Sequence, residues 1–408
     1  MGLPLVAAKR ALRPRDGRRH INRSGEYKSR SDRGIAVTRV PISRRDFLKM
    51  AGMGLGGLGL GSIGGASWPV EWAFAADAIV PPLPEFPQSR SLGRVIGGGK
   101  VPIKLHPDID STDVDFVNDD DVLPWLSEVV GKRPLWYSQR FVETPQGYIY
   151  APNLQPVRNE PNIPMQSLRA EEGFWAEVTV PYVDLVLANP PARSPWLKNG
   201  AKPRLYYSQI MFVDQIKKVD QGQVCYRVKE KYGTFGDIFW AAALAFRPIT
   251  SEEISPLYPE AANKRIQVNL LDQSLSCFED DREVYFCRVS TGGKWDKDGN
   301  PSQDWATPLG AHSIWRKLIS VHMTGGSSGG GYDLSGIGWT TLFSSNGVAI
   351  HSTFWHNSYG VPKSHGCVNA QPKDAKWVFR WTNPPVPYAA GDVTISGNGS
   401  TKVEVVEG

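Results

Sequence analysis

The chain has 408 residues, 41% of them hydrophobic and 21% charged, enough to bury sizeable cores in two or three domains and too apolar for disorder throughout. Its formal charge of +5 is concentrated at the start: residues 1–76 hold 14 Lys and Arg against 5 Asp and Glu, whereas residues 77–408 hold 32 against 36. Without a basic excess on the folded part, the charge pattern argues against a nucleic-acid-binding role.

Gly and Pro number 41 and 32, beside 14 Trp and 14 Tyr, which favours short strands and tight turns over long helices and predicts a mainly β chain. Residues 1–76 read as a disordered basic leader ending in an export signal. Ser43-Arg44-Arg45-Asp46-Phe47-Leu48-Lys49 precedes a Gly-rich, weakly apolar run from Met50 to about Ala66, and then Ala73-Phe74-Ala75. Paired arginines, a short apolar region and a small-x-small cleavage site resemble a twin-arginine signal. A membrane-spanning helix is disfavoured, because the eight glycines between residues 52 and 65 cost roughly 1 kcal/mol each in a helix. The run also falls short of the about 20 apolar residues that span a bilayer. The expectation is export by the twin-arginine route to the periplasm, cell wall or exterior, with no membrane span after cleavage.

Residues 77–93, Pro-rich and polar, read as an extended linker. Residues 94–165 give short alternating segments at Arg94–Ile96, Lys100–Ile103, Asp113–Val117, Arg140–Glu143 and Gly147–Tyr150, a spacing that suits a small SH3-like β-barrel. The acidic run Asp119–Asp121 reads as a solvated turn rather than a Ca²⁺ site, lacking the further ligands such a site needs. Residues 166–263 repeat the style at Ala176–Val180, Tyr206–Ile210, Val224–Val228 and Asp237–Ala241. The closing segments Ala151–Val157 and Ala243–Ile249 are similar, a hint of two copies of one module. Structural spacing and binding of cell-wall polymer are the two readings of these modules.

From residue 264 a new β region begins. Strands are expected at Ile266–Val268, Ser274–Phe278, Val284–Val289, His312–Trp315, Val348–His351, Asp392–Ser396 and Lys402–Val406. One helix is expected at about 372–381, with Pro372 in its first turn and Ala375, Val378 and Trp381 on one face. A two-residue turn at Asp280-Asp281 would set Cys277 opposite Val284 and Cys287 opposite Ser274, too far apart for a disulfide. Cys225, Cys277 and Cys287 are therefore expected as small buried apolar residues.

Between residues 351 and 369 lie His351, His356, His365, Cys367, Asn357, Asn369 and three aromatics, a crowding with three readings. Nucleophilic cysteine chemistry needs a thiolate, and a free thiol with a pKa near about 8.5 supplies little of it at neutral pH. An imidazole must take the proton, and either His365, two positions before Cys367, or His351, at the end of an expected strand, can serve by distance alone. The second reading, a metal site of His351, His356, His365 and Cys367, matches no familiar ligand spacing. The third is a buried structural cluster.

Ser364-His365-Gly366-Cys367-Val368-Asn369, with His351 upstream, resembles the signature of the L,D-transpeptidase (YkuD-type) catalytic domain. Ser290-Thr291-Gly292-Gly293, Thr307-Pro308-Leu309-Gly310, His322-Met323-Thr324-Gly325-Gly326, Tyr332-Asp333-Leu334 and Pro372–Phe379 resemble the same domain. The likeness covers about residues 264–408 and implies a YkuD-type β-sandwich preceded by one or two small SH3-like barrels. It implies that Cys367 is the nucleophile, His351 its base, and the Ser352 carbonyl the group that orients the imidazole. His365, Gly366 and Cys367 would line an oxyanion hole through their N–H groups, with Ser364 and Asn369 holding the loop. Trp339, Trp355, His356, Asn357 and Tyr359 are the expected donor-groove residues, ordinary packing being the alternative for each aromatic. Ser352 stands where many members have glycine, and the span from His351 to Ser364 is short for the family.

The implied reaction uses no cofactor or metal. It joins peptidoglycan stem peptides by 3→3 cross-links through a thioester, and the resemblance implies inactivation by carbapenems at Cys367. An L,D-carboxypeptidase of the same fold and a non-catalytic cell-wall binding protein are the alternatives.

Overall fold

The structure is a computed structural model and describes residues 80–96, 98–134, 138–168, 173–219, 222–294, 300, 302–325, 332–396 and 399–408. The leader with its twin-arginine motif lies outside the described residues.

The first part of the chain carries β1 (Leu92–Val95), β2 (Val101–Lys104), β3 (Asp113–Val117), β4 (Val122–Pro124), β5 (Ser127–Val130), β6 (Arg140–Thr144), β7 (Gly147–Tyr150) and β8 (Leu154–Val157). They form a three-stranded sheet in the order β4-β1-β8 and a five-stranded sheet in the order β3-β2-β7-β6-β5. A small core of Val95, Val101, Ile103, Val142, Ile149 and Leu154 lies between them.

The second part carries β9 (Phe174–Val178), β10 (Tyr182–Leu187), the one-turn helix α1 (Pro195–Lys198), β11 (Arg204–Tyr206), β12 (Ile210–Lys218), β13 (Val224–Lys229), β14 (Ile238–Ala242) and β15 (Phe246–Pro248). Its seven strands pair antiparallel in the order β11-β10-β14-β13-β12-β9-β15. The similar segments at 151 and 243 adopt the same shape: each is a single 3-10 turn, Ala151–Asn153 and Ala243–Ala245, entered and left by extended residues and followed by a strand.

The last part carries β16 (Lys264–Asn269), β17 (Ser274–Glu279), β18 (Arg282–Arg288), β19 (Gly310–Ser313), β20 (Arg316–Gly325), β21 (Tyr332–Leu342), β22 (Ala349–Ser352), β23 (Val368–Ala370), α2 (Pro372–Trp381), β24 (Asp392–Thr394) and β25 (Lys402–Val406). Two five-stranded sheets, β18-β17-β16-β25-β19 and β23-β22-β21-β20-β24, share one core. Alternation positions that core: β16 and β25 run parallel and turn Ile266, Val268, Val403 and Val405 inward, away from polar neighbours on the other face. Pro372 opens α2, whose buried face carries Asp374, Ala375, Val378, Phe379 and Trp381. Asp374 is buried because its carboxylate accepts the Tyr285 hydroxyl at 2.8 Å.

Three expectations differ from the structure. Residues 80–91 form no regular element but are not a free linker: Val80 and Phe86 are buried, Phe86 edge-on to Tyr182 at 5.1 Å. The β17–β18 hairpin pairs Cys277 with Tyr285 and Cys287 with Leu275, because an irregularity after Cys277 shifts the register by one residue. All four cysteines are nonetheless free. The long hairpin of β20 and β21 was not among the expected strands.

The acidic run is a turn with Asp119 and Asp121 exposed, as expected, but Asp120 within it is half-buried and anchors two ion pairs. Asp120 takes Arg94 and Arg204, each at 2.7 Å, so it joins the first and second parts of the chain. The second part in turn shares a core with the last: Trp175, Ile210, Phe212, Ile249 and Ile254 are buried among residues of both C-terminal sheets. Trp175 Nε1 donates to Tyr388 O at 3.0 Å.

Candidate active site

Strand β22 ends at His351 and Ser352, and β23 lies parallel to it with Ile350 opposite Val368 and His351 opposite Asn369. Two parallel strands need a crossover, here residues 353–367, and this crossover returns Cys367 to the side of β22. His351 and Cys367 line one cleft of about 290 Å³. Cys367 is half-buried, its sulfur 4.0 Å from Gly347 O.

His351 is buried, with Nδ1 2.9 Å from Ser352 O. A carbonyl only accepts, so Nδ1 carries the proton and Nε2 presents a lone pair. Burial pushes the imidazole down to about 4, partly opposed by that hydrogen bond. Burial pushes the Cys367 thiol up to about 11, with the Ala349 N–H as the smaller, opposing influence. At neutral pH both groups are therefore uncharged, a thiol and a base rather than a resting ion pair.

The loop before Cys367 is held by residues far away in sequence. Ser364 Oγ bonds the Cys367 carbonyl and accepts the Gly366 N–H at 3.1 Å. Thr291 O accepts the N–H groups of Lys363 and Ser364 at 2.9 and 3.0 Å, and the Gly293 N–H donates to Ser364 O. Thr307 Oγ1 donates to Gly366 O at 2.7 Å. Gly366 sits at φ +116, where an L side chain is strained. Gly292 is required by space, since an added Cβ would lie 2.0 Å from Trp305 O.

The three histidines separate cleanly. His365 is exposed at the rim, its ring 4.4 Å from Trp305 and 5.3 Å from Tyr332. His356 is buried behind the cleft, and burial pushes it down to about 3. Its Nδ1 accepts the Ser358 N–H at 3.2 Å, so Nε2 carries the ring proton. The Asn369 amide, 2.8 Å from that nitrogen, must then present Oδ1 to it. The reverse orientation would set two donors together and leave Oδ1 buried without a partner. Among the described residues no group of three His, Cys, Asp or Glu is placed to hold a metal ion.

Of the expected groove residues, only Trp355 lines the cleft, its ring 5.8 Å from His351. Trp339 is a core residue, 1% exposed and edge-on to Phe379. Asn357 is buried and donates to Ala151 O at 3.3 Å, and His356 is spent on Asn369. Tyr359 faces a separate polar pocket with Arg140, Arg288 and Gln371. In their place the cleft takes Met323, Tyr332 and Leu334 from the β20–β21 hairpin, and Lys363. Alternation along that hairpin would have placed them on one face, had it been read as strands. The Gly366 N–H, expected in an oxyanion hole, is already donated to Ser364 Oγ.

Residues 263–405 match the family model of the YkuD L,D-transpeptidase catalytic domain. No curated protein matches the chain. Among solved structures, an Enterococcus faecium L,D-transpeptidase is 22% identical over 39% of this chain and 56% of its own, with a TM-score of 0.27. One from Xylanimonas cellulosilytica is 21% identical over 37% and 64%, with a TM-score of 0.25. An L,D-transpeptidase from Mycobacterium smegmatis is 15% identical over 47% and 98%, with a TM-score of 0.28. The chain thus spans 56% and 64% of the length of the first two. Residues 263–405 of this mainly β chain are a YkuD-type L,D-transpeptidase catalytic domain.

Proposed function

We propose that this protein is an exported peptidoglycan L,D-transpeptidase that forms 3→3 cross-links through a thioester on Cys367. The observation that carries the reading is the shared cleft of Cys367 and a neutral His351 whose Nδ1–H is fixed on Ser352 O. That leaves Nε2 as a base in the same cleft as an un-ionised thiol.

In the proposed sequence His351 Nε2 takes the Cys367 proton as the sulfur attacks the carbonyl carbon of the third stem residue. The N–H groups of Cys367 and His365 are the available donors to the oxyanion, Gly366 being committed to Ser364. Collapse breaks the amide bond, the imidazolium returns its proton to the departing amine, and D-Ala leaves. An amine from a second stem then attacks the thioester, His351 removes its proton, and the thiol is regenerated. The energy of the cleaved amide is conserved in the thioester, so no ATP is needed. Water as acceptor would give an L,D-carboxypeptidase instead.

The aromatic and aliphatic wall of Tyr332, Trp355, Met323 and Leu334 suits the carbon chains of a stem peptide. Ser43–Lys49 and Ala73–Ala75 support export by the twin-arginine route. Mass spectrometry of the full chain and its Cys367→Ala variant with disaccharide-tetrapeptides tests the function. Cysteine-dependent dimers lacking one D-Ala are expected. Cysteine-dependent tripeptide alone would replace transfer with hydrolysis, and no change with either protein would leave a wall-binding role.

A further inference from the structure

A buried polar knot outside the reacting groups joins the second part of the chain to the wall of the cleft. His322 on β20 has a side chain 1% exposed, with Nδ1 2.7 Å from Glu230 Oε2 and Nε2 2.5 Å from Asp333 Oδ1. The second oxygens are also used: Glu230 Oε1 accepts the Gly336 N–H at 2.9 Å, and Asp333 Oδ2 the Trp196 N–H at 3.0 Å. Phe235 closes the ring edge-on at 5.2 Å, and the His322 N–H donates to Tyr232 O at 3.0 Å. Thus Glu230, Trp196, Tyr232 and Phe235 come from the second part, and His322, Asp333 and Gly336 from the hairpin.

Both ring nitrogens face carboxylate oxygens, so the satisfied state is an imidazolium with two N–H donors. The charged groups facing the ring are Glu230 and Asp333. Lys231, Asp237 and Asp392 nearby are turned to Ala389 O, to the Arg193 and Ser194 N–H groups, and to Arg316 and Tyr232. Burial disfavours the charge, but the hydrogen bonds and charges of Glu230 and Asp333 outweigh it and raise the imidazole above its ordinary value.

The opposite face of the same strands forms the cleft. Met323 follows His322, Tyr332 and Leu334 flank Asp333, and Met323 pairs with Leu334. The β20–β21 register shifts at His322, and there Met323, Tyr332 and Leu334 line the Cys367 cleft while His322 and Asp333 reach Glu230 and Trp196 of the second part of the chain.

We infer that His322, protonated between Glu230 and Asp333, is a positioning residue that clamps the β20–β21 hairpin and holds Met323, Tyr332 and Leu334 in place as the substrate-binding wall. Loss of its proton leaves one lone pair facing a carboxylate, so one side of the clamp opens. The folded-state value is raised, so the clamp is complete below about pH 6.5, the ordinary histidine value, and is lost as pH rises through the higher folded value.

The effect on substrate rests on the transpeptidase reading, whereas the clamp itself does not, and the experiment separates them. In full-length protein carrying ¹⁵N-labelled histidine, the His322 ring is expected to stay doubly protonated above pH 6.5. Its titration should coincide with loss of exchange protection at the Gly336 amide, and Glu230→Gln should move both downward together. His322→Gln, which keeps one donor, should raise KM for the tetrapeptide donor roughly tenfold, the effect of one lost charge-assisted bond, with kcat within about threefold. The unaltered protein should show a rise in KM as pH climbs through the His322 titration, and His322→Gln should remove it. If the protein turns nothing over, the exchange and ring titrations still decide the clamp. A neutral His322 ring at pH 6, or Gly336 protection independent of its titration, would overturn the inference even if His322→Gln failed to fold.

Discussion

The charge state of the proposed nucleophile can be read from the pH dependence of its thiol–disulfide exchange with a small alkyl disulfide. Burial places the Cys367 thiol at about 11, against about 8.5 for an ordinary thiol. At pH 7.5 roughly three thiols in 10,000 would be ionised, against about one in ten, a deficit near 300-fold. The more basic thiolate is intrinsically more nucleophilic, and a Brønsted slope of about 0.45 returns roughly 13-fold. Exchange at Cys367 should therefore be about 20-fold slower than for an exposed thiol, and its rate should climb about tenfold per pH step until near pH 10. His351, at about 4, is neutral throughout, so His351→Ala should leave the profile unchanged while abolishing turnover. Peptide mass mapping isolates the signal, because Cys225, Cys277 and Cys287 are buried. A rate plateau between pH 5 and 8 would mean a resting thiolate–imidazolium pair and would refute this account of the site.

Carbapenem should add its mass to the unaltered protein and not to Cys367→Ala, as intact mass measurement will show. Ser364→Ala removes the hydroxyl that holds both the Cys367 carbonyl and the Gly366 N–H, and should cost roughly 1–3 kcal/mol in denaturant unfolding together with most of kcat. Trp339→Ala should lose about 3–5 kcal/mol of stability, whereas Trp355→Ala should chiefly raise KM, since only the latter lines the cleft. Glu253 is held down to about 2: its burial is outweighed by Arg247 and Lys376. Its folded value is depressed, so its contribution is present above about pH 4.5 and lost as pH falls toward 2. Glu253→Gln should flatten the fall in melting temperature over that range.

Helix α2 and most of the C-terminal strands were legible because each is set by local periodicity. Pro372, with apolar residues returning on one face, places α2 at 372–381, and Ile266 and Val268 alternate with polar neighbours in β16. The β20–β21 hairpin was hidden because glycines and hydroxyl residues break its apolar pattern: Gly336 and Gly338 pack against residues 209–211 of the second part, where a Cβ would crowd Gln209, Ile210 and Met211. Missing that hairpin also concealed Met323, Tyr332 and Leu334. Trp339 and Trp355 carry the same side chain in similar company, yet one is enclosed by α2 and the other opens on the cleft.

By itself the sequence singled out the candidate site residues and their local frame, because a cysteine, a histidine at a strand end and a glycine beside the cysteine are written in residue type and spacing. Only the tertiary structure decided what covers each face. It spent Gly366 N–H and His356 on the loop, turned an apparent linker into packed chain, and placed Glu230 and Asp333 on either side of His322. Periodicity reports which side of a strand is buried, but the partner that buries it comes from up to hundreds of residues away, as with Arg94 donating to Phe354 O. That partner is set by how whole sheets pack.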